Sequence, residues 1–288
     1  MTATLPDLPR AVADALAGAT LEAGTRTMVE AAGIPFSSIE WGRPTGRPLV
    51  LIHGVTASAR VWWRVGPALA ATGRRVIAVD LPGHGRTGHW RGHHRFGDNA
   101  ADVAAWIRAA GLALPELQIV GHSWGAMTAA ALPGVGILPA TLVLLDPPAV
   151  SHARISQMAS DPSEQPYPDR ASAIAHLAAA NADWSPGDVE AKAEALVELD
   201  IDAARSVLLD NGDWDGGLAD IAVATTAGVL TWVVRADPAV GGFVPDERLP
   251  AFQAVVGRTR VITLAGAPHA PQRTHPVETT RALLLALG

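Results

Sequence analysis

The strongest constraint on this chain is a set of short apolar runs without polar alternation: Leu49–Ile52, Val76–Val79, Leu117–Val120, Leu142–Leu145, Val229–Val234 and Val261–Leu264. Each is bounded by Gly, Pro or Asp. A strand with one solvated face alternates apolar and polar residues, so runs of this kind suit strands buried on both faces. The stretches between them are longer, Ala-rich and helical in spacing. Asp98 to Ala110 places Val103, Trp106 and Ile107 on one side, and Pro276 to Leu287 opens with proline at a helix start. Strands joined by helical crossovers make a parallel α/β sheet with helices on both faces. Ahead of the first run, Arg26–Glu30 and Ser37–Trp41 flank a turn at Gly33–Pro35 and predict an antiparallel hairpin on the sheet edge.

The rhythm breaks after Pro148. From there to about Val223 no strand-like run appears, while Ala171–Ala180, Pro186–Leu199 and Ala203–Leu209 read as helices, with Ser185-Pro186-Gly187-Asp188 as a capping-box start. The expected organisation is a core of residues 1–147 and 224–288 and an inserted helical cap over 148–223. Such a cap lies over the carboxyl ends of the strands, where ligands bind in open α/β sheets.

Composition narrows the chemistry. The chain has 288 residues, 49% apolar and 17% charged, against about 25% charged in an ordinary globular protein. It contains no cysteine, which excludes disulfides, thiolate metal sites and cysteine nucleophiles. A net charge of −6 argues against nucleic-acid partners and a polybasic membrane anchor. With no readable signal peptide and no apolar run of membrane-spanning length, the expectation is a soluble cytoplasmic protein.

The motif with the most chemistry is Gly121-His122-Ser123-Trp124-Gly125, which follows a buried strand run and precedes the helix-forming Ala126–Leu132. A sharp strand-to-helix turn strains its central residue, and small neighbours permit that strain. The turn raises the Ser123 hydroxyl and aims the N–H groups of the next helix at developing negative charge. A serine hydroxyl needs a base, and the base an orienting acid. His269 follows the last strand run. Asp146 and Asp237 each end a strand run before it, and both satisfy the chain order Ser, Asp, His. Asp146, held against Pro147-Pro148, is preferred, with Asp237 as the alternative. The backbone amides of Trp124 and Val55 are the expected oxyanion donors, with His53 bracing the Val55 turn. His89, His93 and His94 form a polar cluster without a carboxylate at ligand spacing, so no metal and no cofactor are expected.

These residues resemble the α/β-hydrolase superfamily. Leu51-Ile52-His53-Gly54, Asp80-Leu81-Pro82-Gly83-His84-Gly85, Gly121-His122-Ser123-Trp124-Gly125 and the late His269 stand in that family's order, across nearly the whole chain. The resemblance implies an eight-stranded, mostly parallel sheet with a cap, Ser123 as nucleophile, His269 as base, and the Val55 and Trp124 amides as oxyanion donors. The chain departs from the family pattern in carrying Pro268 before the final histidine and in lacking a glycine turn near Asp237. Haloalkane dehalogenases and epoxide hydrolases of the superfamily use aspartate at the elbow, so Ser123 argues against both.

The leading reading is therefore a serine hydrolase of carboxylic esters or lactones. The alternatives are a carbon–carbon bond hydrolase or cofactor-free perhydrolase on the same residues, and a non-catalytic receptor of the same shape. Nine tryptophans against one tyrosine suggest a bulky apolar or aromatic substrate met by Trp62, Trp63, Trp184 and Trp214. A carbon–carbon substrate with a second carboxylate would need cations in the pocket, for which Arg60, Arg64 and Arg154 are the candidates. The expected partner is a small ester or lactone, and self-association through an apolar cap face is conceivable from sequence.

Overall fold

The computed structural model of the chain describes residues 5–88, 92, 94–161 and 164–288. The elements before the Ser123 turn are α1 (Arg10–Ala17), β1 (Thr25–Ala31), β2 (Ile34–Trp41), β3 (Pro48–Ile52), α2 (Val65–Ala70), β4 (Arg75–Val79), α3 (Phe96–Ala109) and β5 (Gln118–His122). After it come α4 (Trp124–Ala131), β6 (Thr141–Leu145), β7 (Ala149–Val150), α5 (His152–Ala159), α6 (Arg170–Ala180), α7 (Pro186–Val197), α8 (Ile201–Leu209) and β8 (Trp214–Asp215). The chain closes with α9 (Leu218–Thr226), β9 (Leu230–Ala236), α10 (Leu249–Val256), β10 (Val261–Leu264), α11 (Pro271–Thr274) and α12 (Pro276–Leu287).

Eight strands form one sheet in the order β1-β2-β4-β3-β5-β6-β9-β10. The six apolar runs supply β4 to β10 of that order, all parallel, and the hairpin β1–β2 adds an antiparallel edge. The absence of alternation has the expected cause. Val50 and Ile52 of β3 face one apolar layer with Trp106 and Ile107 of α3, Ile221 of α9 and Phe252 of α10. Leu49 and Leu51 face the other, with Leu69 of α2 and Leu283 of α12. Both faces of the central strands β3, β5 and β6 are thus buried, and the mostly parallel α/β sheet flanked by helices read from the sequence is the observed one.

The connection from β6 to β9 carries α5 to α8, whose apolar faces join the α3/α4 side of the core through Ile155, Leu177, Leu196 and Val207. Its two ends are tied together by β7 and β8, where Ala149 pairs with Asp215 and Val150 with Trp214. The boundary expected at 223/224 falls inside α9, and α9 packs against α4, α10 and β9 of the sheet layer. The sequence missed this because α9 is Ala-rich and follows the insertion without a strand-like run between them.

Asp80, the first residue of Asp80-Leu81-Pro82-Gly83-His84-Gly85, works inside the fold. Its buried carboxylate accepts from Ala59 N at 2.7 Å, from Arg26 Nη1 at 2.9 Å and from Arg86 N at 3.2 Å. A Cβ on Gly85 would stand 2.5 Å from that carboxylate, so only glycine lets the loop fold back over it.

Candidate active site

β5 ends at His122 and α4 begins at Trp124, so Ser123 alone makes the turn. Its backbone lies at φ 55° and ψ −123°, a strained region that costs on the order of 1–3 kcal/mol. The flanking glycines are required by contact. A Cβ on Gly121 would lie 2.2 Å from the Gly125 carbonyl oxygen, and one on Gly125 would lie 2.4 Å from that of His53. The turn brings Ser123 to the wall of a cavity of about 460 Å³ between the strand ends and the inserted helices.

His269, in the loop between β10 and α11, faces it. Its Nε2 is 2.8 Å from Ser123 Oγ, and its Nδ1 is 2.6 Å from Asp146 Oδ2. A carboxylate only accepts, so Nδ1 carries the hydrogen and the Nε2 lone pair is left for the serine proton. The ring is fixed by stacking on Phe243, with centroids 4.0 Å apart at 24°. The His269 carbonyl accepts from His122 Nε2 at 2.8 Å. Burial and the neighbouring His269 hold the pKa of His122 well below the ordinary histidine value, so it stays neutral.

Asp146 is fully buried. Its Oδ1 accepts from Ala236 N at 3.0 Å, and its Oδ2 accepts from Phe243 N at 2.9 Å in addition to His269. Asp146 also has φ 45°, a left-handed conformation that Asp tolerates better than most side chains. Asp237, the alternative acid, is turned to other work. Its carboxylate accepts from Gly266 N at 2.8 Å and Ala239 N at 2.9 Å, and those two bonds hold its pKa below the usual carboxylate value. It ties the turn after β9 to the turn after β10, and His269 Nδ1 goes to Asp146.

The loop after β3 is braced from both sides. His53 Nδ1–H donates to Gly54 O at 2.8 Å, and Leu81 N donates to His53 Nε2 at 3.0 Å, so both ring nitrogens are used by a neutral imidazole. Burial lowers the His53 pKa to about 4, against the opposing Gly54 bond. Carbonyl and N–H point in opposite directions across a trans peptide. Fixing Gly54 O on the His53 ring therefore turns Val55 N–H away from it, and Val55 lines the cavity. Among the described residues neither the Val55 nor the Trp124 amide is taken by another group.

On the other side stands Lys192 of α7. It is only 4% exposed and donates to Thr56 O at 2.9 Å and Thr56 Oγ1 at 2.8 Å, while pairing with Glu164, which also accepts from the Thr56 hydroxyl. Burial lowers the Lys192 pKa, opposed by the Glu164 charge. Burial raises that of Glu164, but the charge and bonds of Lys192 outweigh it and leave it below the ordinary value. Sequence reasoning missed this pair, although one signal was present: Lys192 is the single lysine among 22 basic residues.

Of the four tryptophans expected at the substrate, Trp184 and Trp214 line the cavity and the other two do not. Trp62 is fully buried in the layer between the sheet, α2 and α12. Trp63 donates its Nε1 hydrogen to Asp188 Oδ1 at 3.0 Å and closes the seam with α7, where a Cβ on Gly187 would strike its ring at 2.7 Å. Adjacency in sequence to the loop after β3 misled here, because the helical turn at 59–62 rotates both rings away from the cavity. Of the three candidate arginines only Arg154 reaches it. Arg60 pairs with Glu194 and Arg64 with Asp188. Arg273 and Gln272, not singled out in the sequence, line it instead. His89 and His93 lie outside the described residues, and the His94 amide donates to Ser206 Oγ at 3.1 Å.

A family profile described as alpha/beta hydrolase fold matches residues 47–166. Epoxide hydrolase B of Mycobacterium tuberculosis is 36% identical over 86 residues, 29% of this chain and 24% of that protein. The matched stretch thus spans about a quarter of that relative's length. A longer match, 29% identical over 252 residues, covers 80% of this chain and 89% of the pimeloyl-[acyl-carrier protein] methyl ester esterase of Edwardsiella ictaluri. Among solved structures, a thioesterase domain from the curacin biosynthetic pathway superposes with TM-score 0.71 at 25% identity, covering 92% of this chain and all of that one.

Proposed function

From the match of residues 47–166 to the alpha/beta hydrolase fold profile and the geometry above, we propose that the chain is a serine hydrolase of that superfamily, cleaving a carboxylic ester, lactone or related acyl bond through an acyl-enzyme on Ser123. The observation that carries this reading is the unbroken line Ser123 Oγ, His269 Nε2, His269 Nδ1, Asp146 Oδ2, with steps of 2.8 Å and 2.6 Å at the wall of a cavity.

Each group then has a task that follows from its setting. Ser123 Oγ attacks the carbonyl carbon while its proton passes to His269 Nε2, and Asp146 stabilises the imidazolium through the Nδ1 hydrogen. The carbonyl oxygen takes up negative charge between the Val55 and Trp124 amides, the latter at the N-terminus of α4. His269 returns the proton to the leaving oxygen as the tetrahedral adduct collapses to the acyl-enzyme. A water then gives a proton to His269 as it attacks the acyl carbon, and collapse of the second adduct restores Ser123 and frees the acid. The segment α5–α8, tied at β7–β8, is read as the cap that shapes the substrate side of the cavity.

Epoxide opening, the chemistry named for one relative, is disfavoured by serine at the elbow. The test is reaction with a fluorophosphonate probe. Wild-type protein should be labelled on Ser123 and Ser123→Ala should not; absence of wild-type labelling, or labelling that survives the substitution, sinks the reading.

A further inference from the structure

We propose that Gln272, Arg273 and Trp184 form a carboxylate subsite, so that the substrate is an ester or amide bearing a free carboxylate away from the bond that is cut. This deepens the serine-hydrolase reading and rests on it.

Two independent observations carry the inference. The first is a cation without an anion. Arg273 lines the cavity, its guanidinium carbon 4.2 Å from the centroid of the Trp184 ring. Among the described residues it has no ion-pair partner. The carboxylates whose charge reaches it are committed elsewhere: Glu164 to Lys192 and Thr56, Asp188 to Arg64 and the Trp63 ring. Stacking on Trp184 holds the planar guanidinium in one orientation while leaving its N–H edge for a planar, bidentate acceptor, which is carboxylate geometry.

The second is an amide without partners. Gln272 is 1% exposed and lines the same cavity, yet neither its Oε1 nor its Nε2 has a hydrogen-bond partner. Leaving a buried polar group unpaired is unfavourable, and its place beside Arg273 supplies the reason to keep it: Nε2 is a further donor for an oxygen that Arg273 attracts. The charge balance agrees. The described lining residues bring Arg154, Lys192 and Arg273 against Asp161 and Glu164, so the cavity is one positive charge in excess. Val61, Met158, Leu208 and Trp214 make part of the remaining wall, which suits an apolar body between the acyl carbon and the carboxylate.

The test compares mono-p-nitrophenyl esters of succinate, glutarate and adipate with the same compounds capped as methyl esters, on wild-type protein, alongside fluorophosphonate labelling. At the chain length that fits, kcat/KM for the free acid should exceed that for its methyl ester by about 10- to 100-fold, the value of a charge-assisted hydrogen bond. That ratio should collapse toward unity in Arg273→Gln and recover in part in Arg273→Lys. A wild-type ratio at or below one at every length, in protein that is labelled on Ser123, overturns the subsite and leaves the hydrolase reading standing. A high ratio that Arg273→Gln does not lower overturns the assignment to Arg273. Absence of both labelling and ester hydrolysis overturns the hydrolase reading and the subsite with it.

Discussion

Ser123 and Asp146 are two of the three non-glycine residues with positive φ among the described residues, the third being Ala32 in the β1–β2 turn. Strain concentrated at two groups that share one histidine marks them as held for a purpose beyond the turn itself. The difference between Asp146 and Asp237 gives the sharpest expectation at this scale. Asp146→Asn keeps a side chain of the same size but no longer holds His269 in the tautomer that can take the serine proton, so kcat should fall by about 10⁴. Asp237→Asn should leave kcat within a few-fold and lower the melting temperature modestly, as for a weakened cap. Steady-state kinetics and melting curves of both variants decide it, and a larger kcat loss for Asp237→Asn contradicts the account. From sequence the two acids differ little, since each ends an apolar run. What separates them is the course of the chain after the strand. The amide of Asp146 bonds back to Val234 O at 2.7 Å and turns its carboxylate toward His269, whereas Asp237 turns toward Gly266.

The loop between β3 and α2, proposed to supply the Val55 oxyanion donor, is held by a core element on one side and by α7 on the other. His53 fixes the Gly54–Val55 peptide, and Lys192 fixes Thr56, the next residue. Lys192→Met keeps the length and removes the three bonds. We expect kcat to fall about tenfold with a smaller change in KM, short of the ~10²–10³ that follows outright loss of an oxyanion donor. Kinetics split into kcat and KM check this; a change in melting temperature with kcat intact would reduce Lys192 to a packing role. Elements of this kind show where the sequence was legible. Strands buried on both faces, the elbow glycines and the proline-led helices follow from local patterns, so the sheet, the hairpin edge and the helices α3, α4, α6, α7, α8 and α12 could be read. The Lys192–Thr56 bond spans 136 positions, and Trp62 and Trp63 are kept from the cavity that Trp184 and Trp214 line by the layer and the seam they pack into. No periodicity within one element encodes either. The helices α1, α2, α5, α9, α10 and α11 were not read, and α9 crosses the boundary expected at 223/224.

For the molecule as a whole, three buried histidines couple the site to stability. Burial takes His53 from the ordinary 6.5 to about 4, and burial aided by the His53 charge takes His84 to about 3; His122 lies well below the ordinary value. Folded-state values below the unfolded ones mean that the unfolded chain takes up protons first as pH falls. Stability from this source is complete above about pH 6.5, declines as pH falls toward 4, and levels only once the folded histidines protonate. His53 alone accounts for on the order of 3 kcal/mol over that interval. Urea unfolding at pH 7.5, 6, 5 and 4 should show the decline, and a flat profile contradicts it. No helix among the described residues is long and apolar enough to cross a membrane, and the two large apolar layers of the core are built against the sheet. The same sheet carries Ser123, Asp146 and the Val55 loop at the ends of neighbouring strands β5, β6 and β3. The central claim is that this juxtaposition passes an acyl group through Ser123, and the most direct measurement is intact mass after rapid mixing with p-nitrophenyl butyrate and acid quench. The account predicts a transient butyryl adduct that maps to Ser123 and is missing in Ser123→Ala; turnover of the ester with no adduct on Ser123, or an adduct on another residue, would contradict it.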